Sequence, residues 1–193
     1  MASSLRKIPV FLHGFWRDRS GVSATEFALI LPFMLIILIG MTELSGAINA
    51  DRKVSRIANA TTDLVAQSQT LSPAELDDIL ALGGKILAPY PDDTLDTIIS
   101  SITFDEDGDP TVDWSYDSDK GTPWPAGSAP PITLPDTVAA PLTSIVLAQS
   151  TLVYSPPFSG LLTEAFPRLA TYTLQDIFYL RPRLTDKVKC PAC

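Results

Sequence analysis

"RSGVSATEFALILPFMLIILIG", Arg19 to Gly40, decides how the rest of the chain is read. From Phe27 to Thr42 no residue is charged. With Val22 to Thr25 in front, the stretch reaches the ~20 residues that cross a bilayer as a helix. Arg6, Lys7, Arg17 and Arg19 precede it. A basic flank followed by such a run is an insertion signal, which sets it apart from a buried helix of a soluble protein. The flank favours an N-terminus on the inner side, although Arg52, Lys53 and Arg56 beyond the run oppose it.

Glu26 is the anomaly. An ionised carboxylate at the centre of a bilayer costs roughly 2.5–3.5 kcal/mol on insertion scales, so it normally has a partner or a function. It either sits at headgroup depth, where that cost falls, or is there for a reason. Its surroundings bear on the choice. A basic leader ends at Gly21, an uncharged stretch follows, Glu26 is the fifth residue after the glycine, and Phe27 is beside it. This pattern resembles the type IV prepilin cleavage signal. The resemblance implies that a membrane prepilin peptidase cuts after Gly21 and that the apolar segment stays on the mature protein. Val22 would then carry a new ammonium group about one helical turn from Glu26. In a helix assembly, the carboxylate of one subunit and the ammonium of its neighbour would offset each other's desolvation.

The longer stretch "GVSATEFALILPFMLIILIGMTELSGAI" resembles the opening of the TadE/TadG-like proteins, minor pseudopilins of the tight-adherence (Flp-type) pilus and secretion system. The shared features are Gly21, the Glu26-Phe27-Ala28 triplet, Pro32 within the span and Glu43 just beyond it. "LVYSPPF" and "FYLRPRL" are softer points of similarity in the second half. The resemblance implies a bacterial inner-membrane protein that spans once, N-terminus cytoplasmic and head periplasmic. It also implies Gly21 and Val22 at the processing site, Glu26 and Phe27 in processing recognition and subunit contact, and as partners the peptidase, other pseudopilins, the assembly platform and the lipid bilayer. Pro32 removes one helical hydrogen bond; it either bends the span or is tolerated without a role. A rival signal lies at Ser45 to Ala47, "SGA", where a general signal peptidase would release a soluble product beginning at Ile48.

Past the span, Leu44, Ala47, Ile48, Val54, Ile57, Ala58, Leu64 and Val65 recur at helical steps. One helix is therefore expected from about Ser23 to Gln67. A second is predicted at "SPAELDDILALGG": Ser72 and Glu75 form a capping box, Pro73 suits the first turn, and Gly83-Gly84 marks a stop. Strands are expected at Asp96–Phe104, Thr111–Tyr116, Ser144–Pro156 and Thr171–Pro182, with a hairpin signal at Asp107-Gly108. A short helix is expected between Leu161 and Leu169, and an irregular loop at "SDKGTPWPAGSAPPITLP". The expected fold is α+β. Residues 1–21 form a basic leader, 22–42 the transmembrane helix, 43–70 its amphipathic continuation, and 71–193 a head built on a small antiparallel β-sheet.

Charge and composition narrow the chemistry. The first twenty residues carry +3 of a total of −8, so the remainder carries −11. An acidic body without a basic stripe argues against nucleic acid as a partner. His13 is the one histidine and sits in the leader, which leaves the body without the usual serine–histidine or cysteine–histidine pairs. No phosphate-binding glycine loop appears. The cluster Asp105, Glu106, Asp107, Asp109 lacks the EF-hand spacing and reads first as a solvated turn. Trp114 and Trp124 suit either sugar contact or anchoring in a core. "CPAC" closes the chain; Cys190 and Cys193 read as a local disulfide, with free or intermolecular thiols as the alternative. No catalytic residue, metal or cofactor is expected. The alternative to the pilus reading is a single-pass anchor carrying a periplasmic binding module, and a carboxylate-dependent hydrolase stands further off.

Overall fold

The computed structural model describes residues 21–135, 137–162 and 171–193. The leader at 1–20 and most of the helix expected at Leu161–Leu169 lie outside the described residues. Helix α1 runs Val22–Ala66 without a break, through Pro32. Helix α2 follows at Pro73–Leu87, then β1 (Leu95–Phe104), β2 (Pro110–Asp117), β3 (Ser144–Tyr154), the short α3 (Ser159–Leu162) and β4 (Tyr172–Leu180). The strands form one antiparallel sheet in the order β2-β1-β3-β4. The fold is α+β. Contacts divide the chain into two compact units, Met1–Leu44 and Ser45–Cys193.

The second unit is built on the lower part of α1. Its buried residues are Ala50, Val54, Ile57, Ala58, Thr61, Thr62, Val65 and Ala66, a seam at steps of three and four. Val54, Ile57, Ala58 and Val65 stand on the face expected for them, and Ala47 packs against it. Leu44, Ile48 and Leu64 do not; they are exposed. Their places are taken by alanines and threonines, which allow close approach. Thr62 donates its hydroxyl to the Ala58 carbonyl (2.7 Å) and to the Phe178 carbonyl of β4 (3.2 Å), so a buried polar side chain costs little here.

Helix α2 begins as its sequence dictates. Ser72 Oγ accepts from Glu75 N (3.4 Å), and the Glu75 carboxylate accepts from Ser72 N (2.8 Å). That bond to the Ser72 backbone, followed by the one from its hydroxyl, holds the Glu75 carboxyl below the usual range. The stop expected at Gly83-Gly84 is overturned, because the helix continues to Leu87. Gly83 is buried, and a methyl group there would lie 3.1 Å from Leu95 and 3.4 Å from Ile57. These glycines allow close packing inside the helix.

The sheet is covered on both faces. On one, Ile99, Trp114, Tyr116 and Val146 join Val65, Leu71, Leu76, Val188 and Cys190, while Leu152 and Tyr154 meet Ala50, Val54, Ile57 and Leu87. On the other, Ile102, Phe104, Val112, Ile145 and Leu147 are covered by Trp124, Ile132, Leu134, Val138 and Ala139 from the long β2–β3 connection. Val112 and Trp114 are two apart yet serve opposite faces. The register explains this: Ser101 pairs with Trp114 and Ile102 with Val112, which leaves Asp113 as an extra residue in a bulge. The β1–β2 turn is closed by Asp105, whose carboxylate accepts from Asp107 N and Asp109 N, with Gly108 at φ +87°. Trp114 and Trp124 are both buried, and Trp114 Nε1 donates to Val188 O (2.9 Å).

Candidate functional site

The residues singled out at the start of the chain fall together in the first two turns of α1. Gly21 is exposed and has open space around it. Its carbonyl accepts the first helical bond, from Thr25 N (3.1 Å), and Thr25 Oγ1 donates to Val22 O (2.8 Å). Val22 is the first helical residue, and Glu26 follows one turn later. Glu26 and Phe27 are both exposed.

Beyond them the helix is apolar on every side. Leu29, Ile30, Leu31, Phe33, Met34, Leu35, Ile36, Ile37, Leu38 and Met41 are all exposed. A helix that shows apolar side chains all round needs an apolar surrounding. Among the described residues, α1 is the one helix long and apolar enough to cross a membrane. Twenty-one residues, 22–42, span about 32 Å, close to the ~30 Å hydrocarbon thickness. Thr42, the last uncharged position before Glu43, satisfies its hydroxyl within the helix by donating to Leu38 O (2.9 Å), as a lipid-facing polar side chain must.

Residues 21–63 match the family model described as TadE-like protein. Over this segment the chain is similar to TadE-like proteins. The match starts at Gly21 and ends inside α1, so it takes in the TadE-like helix and none of the sheet. No curated protein and no solved structure matches the chain. Among the described residues, the apolar helix that carries this match fits a single-pass membrane anchor.

Cys190 and Cys193 are elsewhere, in the second unit. They form a disulfide with Cα atoms 5.4 Å apart, and Cys190 is buried in the core with Leu71, Trp114 and Val188. Ser45 to Ala47, the rival processing site, lies within α1. The Gly46 carbonyl accepts from the Tyr90 hydroxyl (3.2 Å), and a methyl group at Gly46 would come within 2.5 Å of the Tyr154 hydroxyl oxygen.

Two polar groupings in the second unit bring together residues from distant parts of the chain. Asp113 accepts from Ser101 Oγ (3.0 Å) and Thr103 Oγ1 (2.7 Å) and pairs with Lys187. Asp77 accepts from Lys120 Nζ (2.9 Å) and the Tyr116 hydroxyl (2.8 Å). It lies in a cleft of about 370 Å³ with Leu80, Gly84, Asp92, Leu95 and Ser118. The Lys120 bond, then that from Tyr116, holds the Asp77 carboxyl below the usual carboxylate range. Asp77 in turn raises Lys120. Burial, and after it the Asp77 bond, pushes the Tyr116 hydroxyl up. Partners 39 and 43 residues away in sequence leave no local signal, so neither grouping is visible by spacing.

Proposed function

We propose that this chain is a minor pseudopilin of a tight-adherence pilus or secretion apparatus, cut after Gly21 by a prepilin peptidase and working by helix packing within the inner membrane. The observation that carries this is the coincidence of three boundaries. The family match begins at Gly21, the helix begins at Val22, and the exposed carboxylate of Glu26 lies one turn inside. In this reading the head is periplasmic and meets other pseudopilins or the assembly platform. The protein performs no chemistry of its own. The Val22 ammonium of one subunit pairs with Glu26 of the next, and because an unpaired charge at that depth is costly, the pair selects register.

Retention of α1 in the mature protein is supported by the packing at Gly46 and Ala47. Cleavage there would remove the helical turn that Tyr90 and Tyr154 pack against. Mass spectrometry of the native N-terminus, with and without the prepilin peptidase, is the direct test. A mature chain starting at Val22 only when the peptidase is present is the expected result. A chain that keeps its leader, or starts at Ile48, overturns the proposal. Glu26→Gln is expected to be processed yet to lose co-assembly with partner subunits.

A further inference from the structure

Helices α1 and α2 begin in opposite ways. Helix α2 opens on a capping box, with a proline in its first turn. Helix α1 opens after Gly21, which has no side chain to accept from the free amides of the first turn, and no acidic residue stands in that turn. Val22, Ser23 and Thr25 are weak helix formers. The two β-branched residues lose side-chain freedom in a helix, and the serine hydroxyl competes for backbone groups. Gly21 is exposed, and a methyl group built on it would meet nothing within 4 Å, so packing does not hold it in place either.

Thr25 supplies two of the bonds that close this turn. Its amide donates to Gly21 O (3.1 Å) and its hydroxyl to Val22 O (2.8 Å). Gly21 O is the oxygen of the Gly21–Val22 peptide bond, and Val22 O is that of the next one. In hydrolysis, the oxygen of a water joins the Gly21 carbonyl carbon and negative charge builds on Gly21 O. Donors of the enzyme must then reach that oxygen. The C–N bond to Val22 breaks, and both protons of the water end on the Val22 nitrogen, which leaves a carboxylate on Gly21 and an ammonium on Val22. While the turn is closed, Thr25 N occupies the oxygen that the enzyme has to take over.

We infer that the chain is cut from an opened state, extended from Gly21 to Thr25 and helical from Glu26 onward, and that the missing cap makes this opening easy. The inference rests on the reading that a prepilin peptidase processes the chain after Gly21. Glu26 and Phe27 remain helical in both states and present the same recognition surface. A cap of the kind that starts α2 would hold the turn shut over the bond to be broken. Helix ends open and close within about a microsecond, so cleavage follows the population of the opened turn. Cleavage also completes the change, because the acceptor of Thr25 N departs with Gly21.

The test follows two quantities in the full chain, held in phosphatidylcholine nanodiscs. One is the hydrogen-exchange rate of the Thr25 amide. The other is kcat/KM for the purified prepilin peptidase, read by mass spectrometry as the product beginning at Val22. Two substitutions move the turn in opposite directions and leave Gly21, Val22, Glu26 and Phe27 in place. Ala24→Gly lowers helix propensity and should open the turn about fourfold more often, and Ser23→Ala raises it and should open the turn about twofold less often. The expected result is that kcat/KM rises and falls with Thr25 exchange by the same factors. Exchange that shifts while kcat/KM stays level or moves the other way overturns this inference and leaves processing after Gly21 standing. Thr25 exchange at the rate of an unstructured peptide, or unmoved by both substitutions, shows no closed turn to open and overturns it as well. A parent chain that the peptidase does not cut after Gly21 overturns the processing reading, and this inference falls with it.

Discussion

Asp113 shows how much a single side chain organises in the head. As the extra residue of a bulge it has no cross-strand partner, and its carboxylate is nearly buried beneath Lys187 while two hydroxyls of β1 donate to it. Asp113→Ala strands those donors, and about 2–3 kcal/mol of stability should be lost in denaturant unfolding, since bonds to a charged acceptor are each stronger than neutral ones. Lys187 is half exposed, so Lys187→Met should cost less, about 1 kcal/mol or below. Asp96 is the opposite case. Burial, then the charges of Asp117 and Asp119, raises its carboxyl above the usual range. A raised acid binds its proton more tightly in the folded than in the unfolded chain. Stability contributed by that proton is present at low pH and is lost as pH rises through the elevated value. Asp96→Asn should therefore raise the melting temperature at neutral pH, and the gain should vanish below the ordinary carboxylate range. A gain that persists unchanged at low pH would rule out ionisation as its source.

At the scale of elements, the junction between α1 and the sheet is set by Gly46. Alanine is favoured over glycine inside a helix by about 1 kcal/mol, yet a methyl group here meets the hydroxyl of a buried tyrosine. That ring is held edge-on by Tyr90, with centroids 5.7 Å apart, and has little room to retreat. Gly46→Ala should lower stability in the parent chain and be neutral or better in the Tyr154→Phe background, a coupling of about 1 kcal/mol or more. Additive effects would show that the hydroxyl is not the obstacle. This contact also marks where reading a sequence stops working. The long apolar helix and the Ser72–Glu75 cap are legible because what decides them lies a few residues away. Gly83-Gly84 was misleading because a helix stop and a close packing site look alike in sequence; Ile57 and Leu95 decide between them from afar. Leu44, Ile48 and Leu64 fit the apolar period but lose the buried face to alanine and threonine, since what lies opposite is a sheet that needs close approach. Nothing near Asp113 announces a bulge.

On the scale of the head as a whole, the chain's last stretch acts as a strap over the point where the helices meet. Arg183 N donates to Ala66 O (2.9 Å), at the end of α1, and the Arg183 guanidinium pairs with Asp63. Lys189 bridges the α1–α2 connection, with its amide donating to Gln69 O (3.1 Å) and its carbonyl accepting from Leu71 N (2.9 Å). Val188 and Cys190 fill the core between α2 and the sheet, and Val188 O accepts the buried indole N–H of Trp114. The disulfide closes a loop of only a few residues, so its own loop entropy is small; its place in the core is what ties the strap down. Two expectations follow with different magnitudes. Replacing both cysteines by serine should leave the full chain folded, with a modest loss. Ending the chain at Leu180 should remove two buried side chains worth roughly 1.5–3 kcal/mol each and orphan the Trp114 and Leu71 donors at about 1–3 kcal/mol each. That sum reaches the ~5–15 kcal/mol that holds a typical domain together, so the truncated head should unfold while α1 still inserts. Limited proteolysis of the membrane-inserted chain separates the cases: the cysteine variant should keep a resistant head, and the chain ending at Leu180 should be digested down to its span. A resistant head in the truncated chain would mean that α2 and the sheet close their core without the strap.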